Sequence, residues 1–244
     1  MARTVSVRKT RGNDAGDETR ERLLNAAETL FAARGLDGVS VRDITELATA
    51  NTAAIHYHFG SKQNLIAAIL ERRAGPLGRR REELLDALSN DHHADLRGVA
   101  EALVLPTAEL VEQDEGGQNY VAFLAALGNH AEIMPAVIGA YDPYTDRYLA
   151  VLKAHTPHLS DDVRLLRFGI LKDVVNRVLG QPHGQVRLWI AHRSPSSTGT
   201  IVDNLVDIVV GVFEAPSTTS PRPSRRRTAR PPAKATGRSH KRMI

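Results

Sequence analysis

The 244-residue chain has no cysteine. Disulfides and cysteine-ligated zinc are therefore excluded, and the expected setting is intracellular and cytoplasmic. No apolar run approaches the roughly 18 residues that a membrane span needs, so no membrane partner is expected. The N-terminus, MARTVSVRKTRGND, is basic but has no apolar core behind it, so it does not read as a secretory signal. Strand-type alternation and internal repeats are also missing. Acidic residues are absent from one whole segment: Pro216 to Ile244 holds nine Lys or Arg and no Asp or Glu. Without that tail, residues 1–215 carry 23 basic against 28 acidic side chains, a net of −5. The overall charge of +4 belongs to the tail and is weak ground for assigning a partner to the folded body. Hydrolytic signatures are lacking too. Residues 77–215 offer no G-x-S-x-G, H-E-x-x-H or phosphate-loop pattern, so no enzyme activity is expected.

What is present is ordinary for a soluble globular protein, with 42% hydrophobic and 25% charged residues. The reading is all-α. Residues 1–16 read as a flexible basic arm. From about Glu18, Leu23, Leu24, Ala27, Leu30 and Phe31 recur at helical spacing, and Arg34-Gly35 ends that helix. Gly75-Pro76 reads as a breaker and a domain hinge. Helices are then expected over 76–88, over 95–112 with an interruption at Pro106, over 119–127 after a Glu115-Gly116-Gly117 turn, and over 135–154. Ser160 is an expected N-cap for a long helix reaching Leu179. Gly180-Gln181-Pro182 stops it, and a last apolar stretch spans 200–213. The Pro-, Ser- and Arg-rich segment 216–244 reads as a disordered basic tail.

The informative stretch is VSVRDITELATANTAAIHYHFGSK, residues 39–62. Ser40 is an N-cap with Asp43 three residues on, a form of the capping box. Val41, Ile44, Leu47 and Ala48 give a short helix with a buried side. Thr49-Ala50 fits a tight turn, Asn51 is the next N-cap, and a second short helix runs to His58. Two short helices so joined make a helix-turn-helix, here residues 40–59, whose second helix enters the major groove N-terminus first. The expected DNA-contact set is Arg42, Thr52, Ala53, His56, Tyr57 and Lys62. Ala53 permits close approach and touches a thymine methyl, while Thr52 bonds a base edge or a phosphate. Tyr57 and Lys62 donate to phosphates, and Arg42 reaches a base or a phosphate. His56 and His58, two residues apart, point to different helix faces, so no metal pair is expected. No cofactor is expected either.

These residues carry a resemblance. The opening helix ETRERLLNAAETLFAARGLDGVS, the IHYHFGSK segment and the following QNLIAAILERR are similar to the DNA-binding domain of the TetR family of repressors, without gaps over residues 17–76. The resemblance implies a three-helix head on a C-terminal regulatory and dimerisation bundle, residues 77–215. It implies a homodimer whose last two long helices, near 161–179 and 200–213, form a four-helix interface. It also implies repression at a palindromic double-stranded DNA operator, relieved by a small-molecule effector of unknown identity. An activator, or a less specific DNA binder without an inducer, is the alternative. One departure stands out: the family has glycine in the turn where this chain has Thr49. A β-branched residue at positive φ is strained, so the turn either changes conformation or stores about 1–3 kcal/mol.

Family members carry an effector site in the middle of the bundle. Here Tyr120, Phe123, His130, Tyr144 and Tyr148 are the candidate lining, against the plainer reading that they are core. His92-His93 reads as a solvated loop. The basic tail has two readings: salt-sensitive, sequence-independent DNA affinity, or a solubilising extension. The Arg3–Arg11 arm has a similar pair, a minor-groove contact or no role.

Overall fold

The computed structural model describes residues 11–89, 95–181, 184–193 and 197–217. His92-His93 and the basic segment beyond residue 217 lie outside them. Among the described residues there are ten α-helices and no strand: α1 (Arg11–Arg34), α2 (Val41–Leu47), α3 (Ala53–His58), α4 (Lys62–Ser89), α5 (Leu96–Gln113), α6 (Glu115–Ala126), α7 (Met134–His155), α8 (Asp161–Gly180), α9 (Gln185–Arg193) and α10 (Thr198–Glu214). The all-α expectation holds.

Helices α1 to α3 and the start of α4 enclose a small core of Leu23, Leu24, Phe31, Ile44, Ile55, Leu65 and Ile69, all inaccessible to solvent. This core does not end at the head. Helix α1 also packs on α6, where the Phe31 and Phe123 rings stack at 5.8 Å, so one apolar cluster runs from the head into the base of the bundle. A second cluster, centred on Tyr148, Leu152, Phe168 and Phe213, fills the far end between α5, α7, α8 and α10.

Several boundaries differ from the sequence expectation, each for a physical reason. Helix α1 begins at Arg11 rather than near Glu18, because its first turns are polar and give no apolar period. Gly75-Pro76 is not a hinge. Helix α4 runs unbroken through Pro76 to Ser89, so the head and the bundle share one helix across the expected boundary at 76. A Cβ at Gly78 would fall 2.4 Å from the Tyr144 ring. The small residue is there for close packing of α7 on α4. Pro106 likewise sits inside α5. The Gly116-Gly117 pair lies in the first turn of α6, where Asp114 is the N-cap and accepts from the Gly117 N–H at 2.6 Å. A Cβ at Gly117 would come within 1.9 Å of the Leu110 carbonyl oxygen, so that glycine also serves close approach. Helix α9 lies in a stretch for which the sequence predicts no element. The long helix capped by Ser160 is α8, and its Val163 N–H donates to the Ser160 hydroxyl at 3.4 Å.

Candidate nucleic-acid interface

The head is a helix-turn-helix held by local hydrogen bonds. Ser40 and Asp43 form a reciprocal capping box at the start of α2. The Ser40 N–H donates to the Asp43 carboxylate at 2.7 Å, and the Asp43 N–H donates to the Ser40 hydroxyl at 3.1 Å. The Ser40 hydroxyl also donates to the Asp43 carboxylate, and that bond, then the one from the Ser40 N–H, holds the Asp43 carboxyl below its ordinary 3.8. Helix α2 closes in a Schellman motif. The Ala50 N–H donates to the Thr45 carbonyl at 2.9 Å and the Thr49 N–H to the Glu46 carbonyl at 3.1 Å. That motif requires a left-handed residue, and Thr49 takes it with φ 51°. The turn therefore keeps the glycine-type conformation and bears the strain of a β-branched side chain. Arg22 of α1 clamps the same corner, its Nε donating to the Ala48 carbonyl at 3.2 Å.

Asn51 caps α3 as expected, its side-chain oxygen accepting from the Ala54 N–H at 2.9 Å. Ile55 is fully buried on the inner side of α3. The opposite side carries Thr52, Ala53, His56 and Tyr57, all exposed, with Tyr57 83% accessible. Arg42, in the first turn of α2, is exposed as well. His56 Nδ1 lies 3.1 Å from the Gly60 carbonyl oxygen. A carbonyl can only accept, so Nδ1 donates and Nε2 is the ring nitrogen left for another partner. His58, half-buried, packs edge-on against Tyr57 at 4.9 Å and tilted against Phe59 at 6.1 Å. Gly60, at φ 77°, ends α3 in the left-handed region.

Lys62 is placed differently from the others. Its ammonium donates to the Leu36 carbonyl at 2.5 Å and the Val39 carbonyl at 2.6 Å, and lies 5.5 Å from the centre of the Phe31 ring. Two of its three protons are spent on the loop between α1 and α2. Lys62 pins the head internally rather than presenting a free charge. The sequence signal, a lysine beside a helix N-terminus, cannot distinguish these directions.

Salt links fix α1 to α4 behind the interface. Glu28 is 2% exposed and takes Arg72 at 2.5 Å and Arg73 at 3.2 Å. Arg72 also reaches Glu21 at 2.8 Å.

The structure places the five aromatic and histidine candidates for an effector pocket at separate points of the bundle and its seam with the head. Phe123 stacks on Phe31 at the seam between head and bundle. Tyr120 is fully buried, its hydroxyl paired with that of Tyr141. The Tyr148 hydroxyl donates to the Val99 carbonyl at 2.9 Å in the second core. Tyr144 lies against Gly78. His130 faces Glu132 at 3.1 Å and Asp37 at 3.9 Å.

Residues 23–69 match the family model described as "Bacterial regulatory proteins, tetR family", and residues 101–211 match "Tetracyclin repressor-like, C-terminal domain". Among curated proteins, the HTH-type transcriptional repressor BepR of Brucella suis biovar 1 is 31% identical over 166 residues, 68% of this chain and 69% of that protein. The repressor KstR2 of Rhodococcus jostii is 36% identical over 94 residues, 38% of this chain and 43% of its own length. The regulator TtgR of Pseudomonas putida is 32% identical over 99 residues, 41% and 44% respectively. The chain thus spans under half the length of these last two relatives. Among solved structures, a TetR-like transcriptional regulator from Rhodococcus sp. RHA1 superposes with a TM-score of 0.54 at 17% identity, covering 80% of this chain and 93% of that one. A TetR family regulator from Marinobacter aquaeolei VT8 gives 0.54 at 14% identity, covering 82% and 97%. Head, bundle and relatives agree, and the chain belongs to the tetR family of bacterial regulatory proteins.

Proposed function

We propose that this chain is a sequence-specific DNA-binding transcription regulator, not an enzyme, acting as a homodimeric repressor on a palindromic operator and released by a small-molecule effector. The observation that carries the reading is the outward face of α3. Thr52, Ala53, His56 and Tyr57 share it, with Arg42 alongside on α2, while Ile55 anchors the helix beneath. Ala53 lets the helix approach a thymine methyl, and His56, its Nδ1 turned to the Gly60 carbonyl, offers Nε2 to a base edge. Tyr57 donates to a phosphate and sets the register. Lys62 supports this surface from below.

A homodimer is supported by an apolar face left open on α8 and α10. Leu166 is 63% exposed and Ile170 54%, and Ile208 on α10 is 49% exposed. Gly169 and Gly211 lie beside them, each with open space where a Cβ would stand. Small residues between apolar ones let two helix pairs approach closely, as a four-helix interface requires. Two heads so joined read half-sites about 34–36 Å apart. Effector release is supported by the continuity of α4. A tilt of its bundle half moves its first turn, which is built into the head core. The effector must bind the two head spacings with different affinity, typically by about 1–3 kcal/mol.

The test is a gel-shift series on the DNA upstream of this protein's own coding sequence, across salt concentrations. Selective binding that survives moderate salt is the expected result. Binding that vanishes with salt and is shared by unrelated DNA would mean a nonspecific binder, and the reading would fail.

A further inference from the structure

Between α4, α5, α7 and α8 the bundle encloses a cavity of about 10 Å³, room for about one water molecule. Its walls include Leu77, Arg81, Thr107, Tyr141, Lys172 and Asn176. Two of these are cations inside the bundle. Arg81 is 5% exposed. Its Nε donates to the Ala102 carbonyl at 3.2 Å, and among the described residues no carboxylate pairs with its guanidinium. The Lys172 ammonium stands 3.9 Å above the centre of the Tyr141 ring. The carboxylate that acts on it, Asp142, is on the exposed side of α7.

Another buried arginine shows what full satisfaction looks like in this fold. Arg164, 3% exposed, donates to the Thr156 hydroxyl, the Thr156 and Leu159 carbonyls and Asp161. Arg81 has one such bond. A buried charge without a partner is costly, and proteins keep one where a counter-ion is supplied. Among the described residues no carboxylate supplies it.

We propose that the effector is an organic anion, an oxyanion head on an apolar body, whose head is held between Arg81 and Lys172. This rests on the effector-responsive reading above and narrows it to a ligand class. The planar guanidinium fork fits a carboxylate or phosphate in two-point contact, and the ammonium adds a point charge. Thr107, Asn176 and the Tyr141 hydroxyl supply neutral hydrogen bonds. Burial, then the neighbouring Arg81, lowers Lys172 to about 8, against the opposing pull of Asp142. The cavity is too small for the body. Leu77 also lines a groove of about 340 Å³ on the outer side of α4 and α5, with Pro76 and Pro106 on its walls. Each proline removes a backbone hydrogen bond from its helix at that level. The body therefore extends past Leu77 into this groove, prising α4 from α5.

The experiment uses the full chain with octanoate, acetate and inorganic phosphate as probes, chloride at matched ionic strength as baseline, and 1-octanol as a neutral control. Binding is read by calorimetry and by Tm. The expected result is that at least one oxyanion raises Tm by about 2–4 °C over chloride, and that octanoate binds at least about tenfold more tightly than octanol. In Arg81→Met and Lys172→Met the anion response is lost, while the unliganded Tm stays level or rises because an unpaired charge has been removed. Three results would overturn the proposal: no anion acting beyond chloride, octanol matching octanoate, or both variants melting lower without ligand, which would make the cations structural. Operator gel shifts separate the two readings. Octanoate that binds without releasing DNA keeps the anion site and sinks effector gating. Release by octanol as well as octanoate keeps gating and sinks the anion.

Discussion

Thr49 holds a glycine's place in the turn of the helix-turn-helix, with φ 51° and both Schellman hydrogen bonds formed. Replacing it with glycine relieves a strained β-branched residue at some cost in chain entropy. Thr49→Gly is expected to stabilise the protein by about 1 kcal/mol, seen as a rise of about 2–4 °C in Tm. Thr49 is exposed, and its departure from glycine was legible in the sequence, because only the backbone requirement of the turn had to be known. Lys62 was not legible in the same way, since the direction of a lysine side chain is set by carbonyls on another loop. Lys62→Met should cost about 1–3 kcal/mol in stability, because two loop carbonyls lose a charged donor. It should leave the salt dependence of DNA binding unchanged. If Lys62 is instead a phosphate contact, the slope falls by about 1. Tyr57→Phe should keep the fold and weaken DNA binding about tenfold on every sequence, the signature of a lost phosphate bond.

At the scale of helices, the sequence showed existence better than continuity. Apolar spacing located α2, α3 and α8, because their caps are short-range and their buried faces regular. It could not show that α4 crosses Pro76 or that Gly116-Gly117 lies inside α6. Those outcomes depend on the ring of Tyr144 and the backbone of Leu110, which are distant in sequence or visible only in three dimensions. The candidate effector residues meet the same limit. An aromatic stripe marks burial, and whether it encloses a hole depends on what packs opposite. Arg81 and Lys172 carry no local sequence signal, because a lone cation on a helix reads as solvated until its burial is known.

The α1–α4 junction makes a stability prediction at this scale. Glu28→Gln leaves Arg72 and Arg73 facing a neutral amide in a largely buried site. The expected loss is about 2–3 kcal/mol, below the usual range for a fully buried pair because both arginines keep some solvent contact, measured by urea denaturation. Helix starts make a pH prediction. Asp43 is lowered by its bonds with Ser40, and Asp161 by Lys153 and Arg164. A carboxyl lowered in the folded state contributes stability above its unfolded value, and that contribution is lost as pH falls through and below 3.8. Thermal melts should show Tm falling in that window, and falling less steeply in Asp43→Asn with Asp161→Asn.

For the whole molecule, the proposed dimer joins two heads through α8 and α10, and α4 couples each head to its bundle. Leu166→Glu with Ile170→Glu places charge on the open apolar face. It should leave the helical circular dichroism intact, halve the mass by light scattering and abolish tight DNA binding, because each head alone reads one half-site. The two readings of the basic C-terminal segment separate on its removal: nonspecific attraction predicts a flatter salt dependence with the sequence preference spared, and a solubilising extension predicts no change in either.

The most direct measurement is selection of duplexes from a random pool by the purified full chain, followed by sequencing of what is bound. The expected result is an inverted repeat with half-site centres one helical turn apart, about 10 base pairs, or a multiple of that. The repeat should no longer be enriched when His56 and Tyr57 are both replaced by alanine. Recovery of a pool with no repeat, or of the same repeat by the doubly substituted protein, would contradict the proposed function.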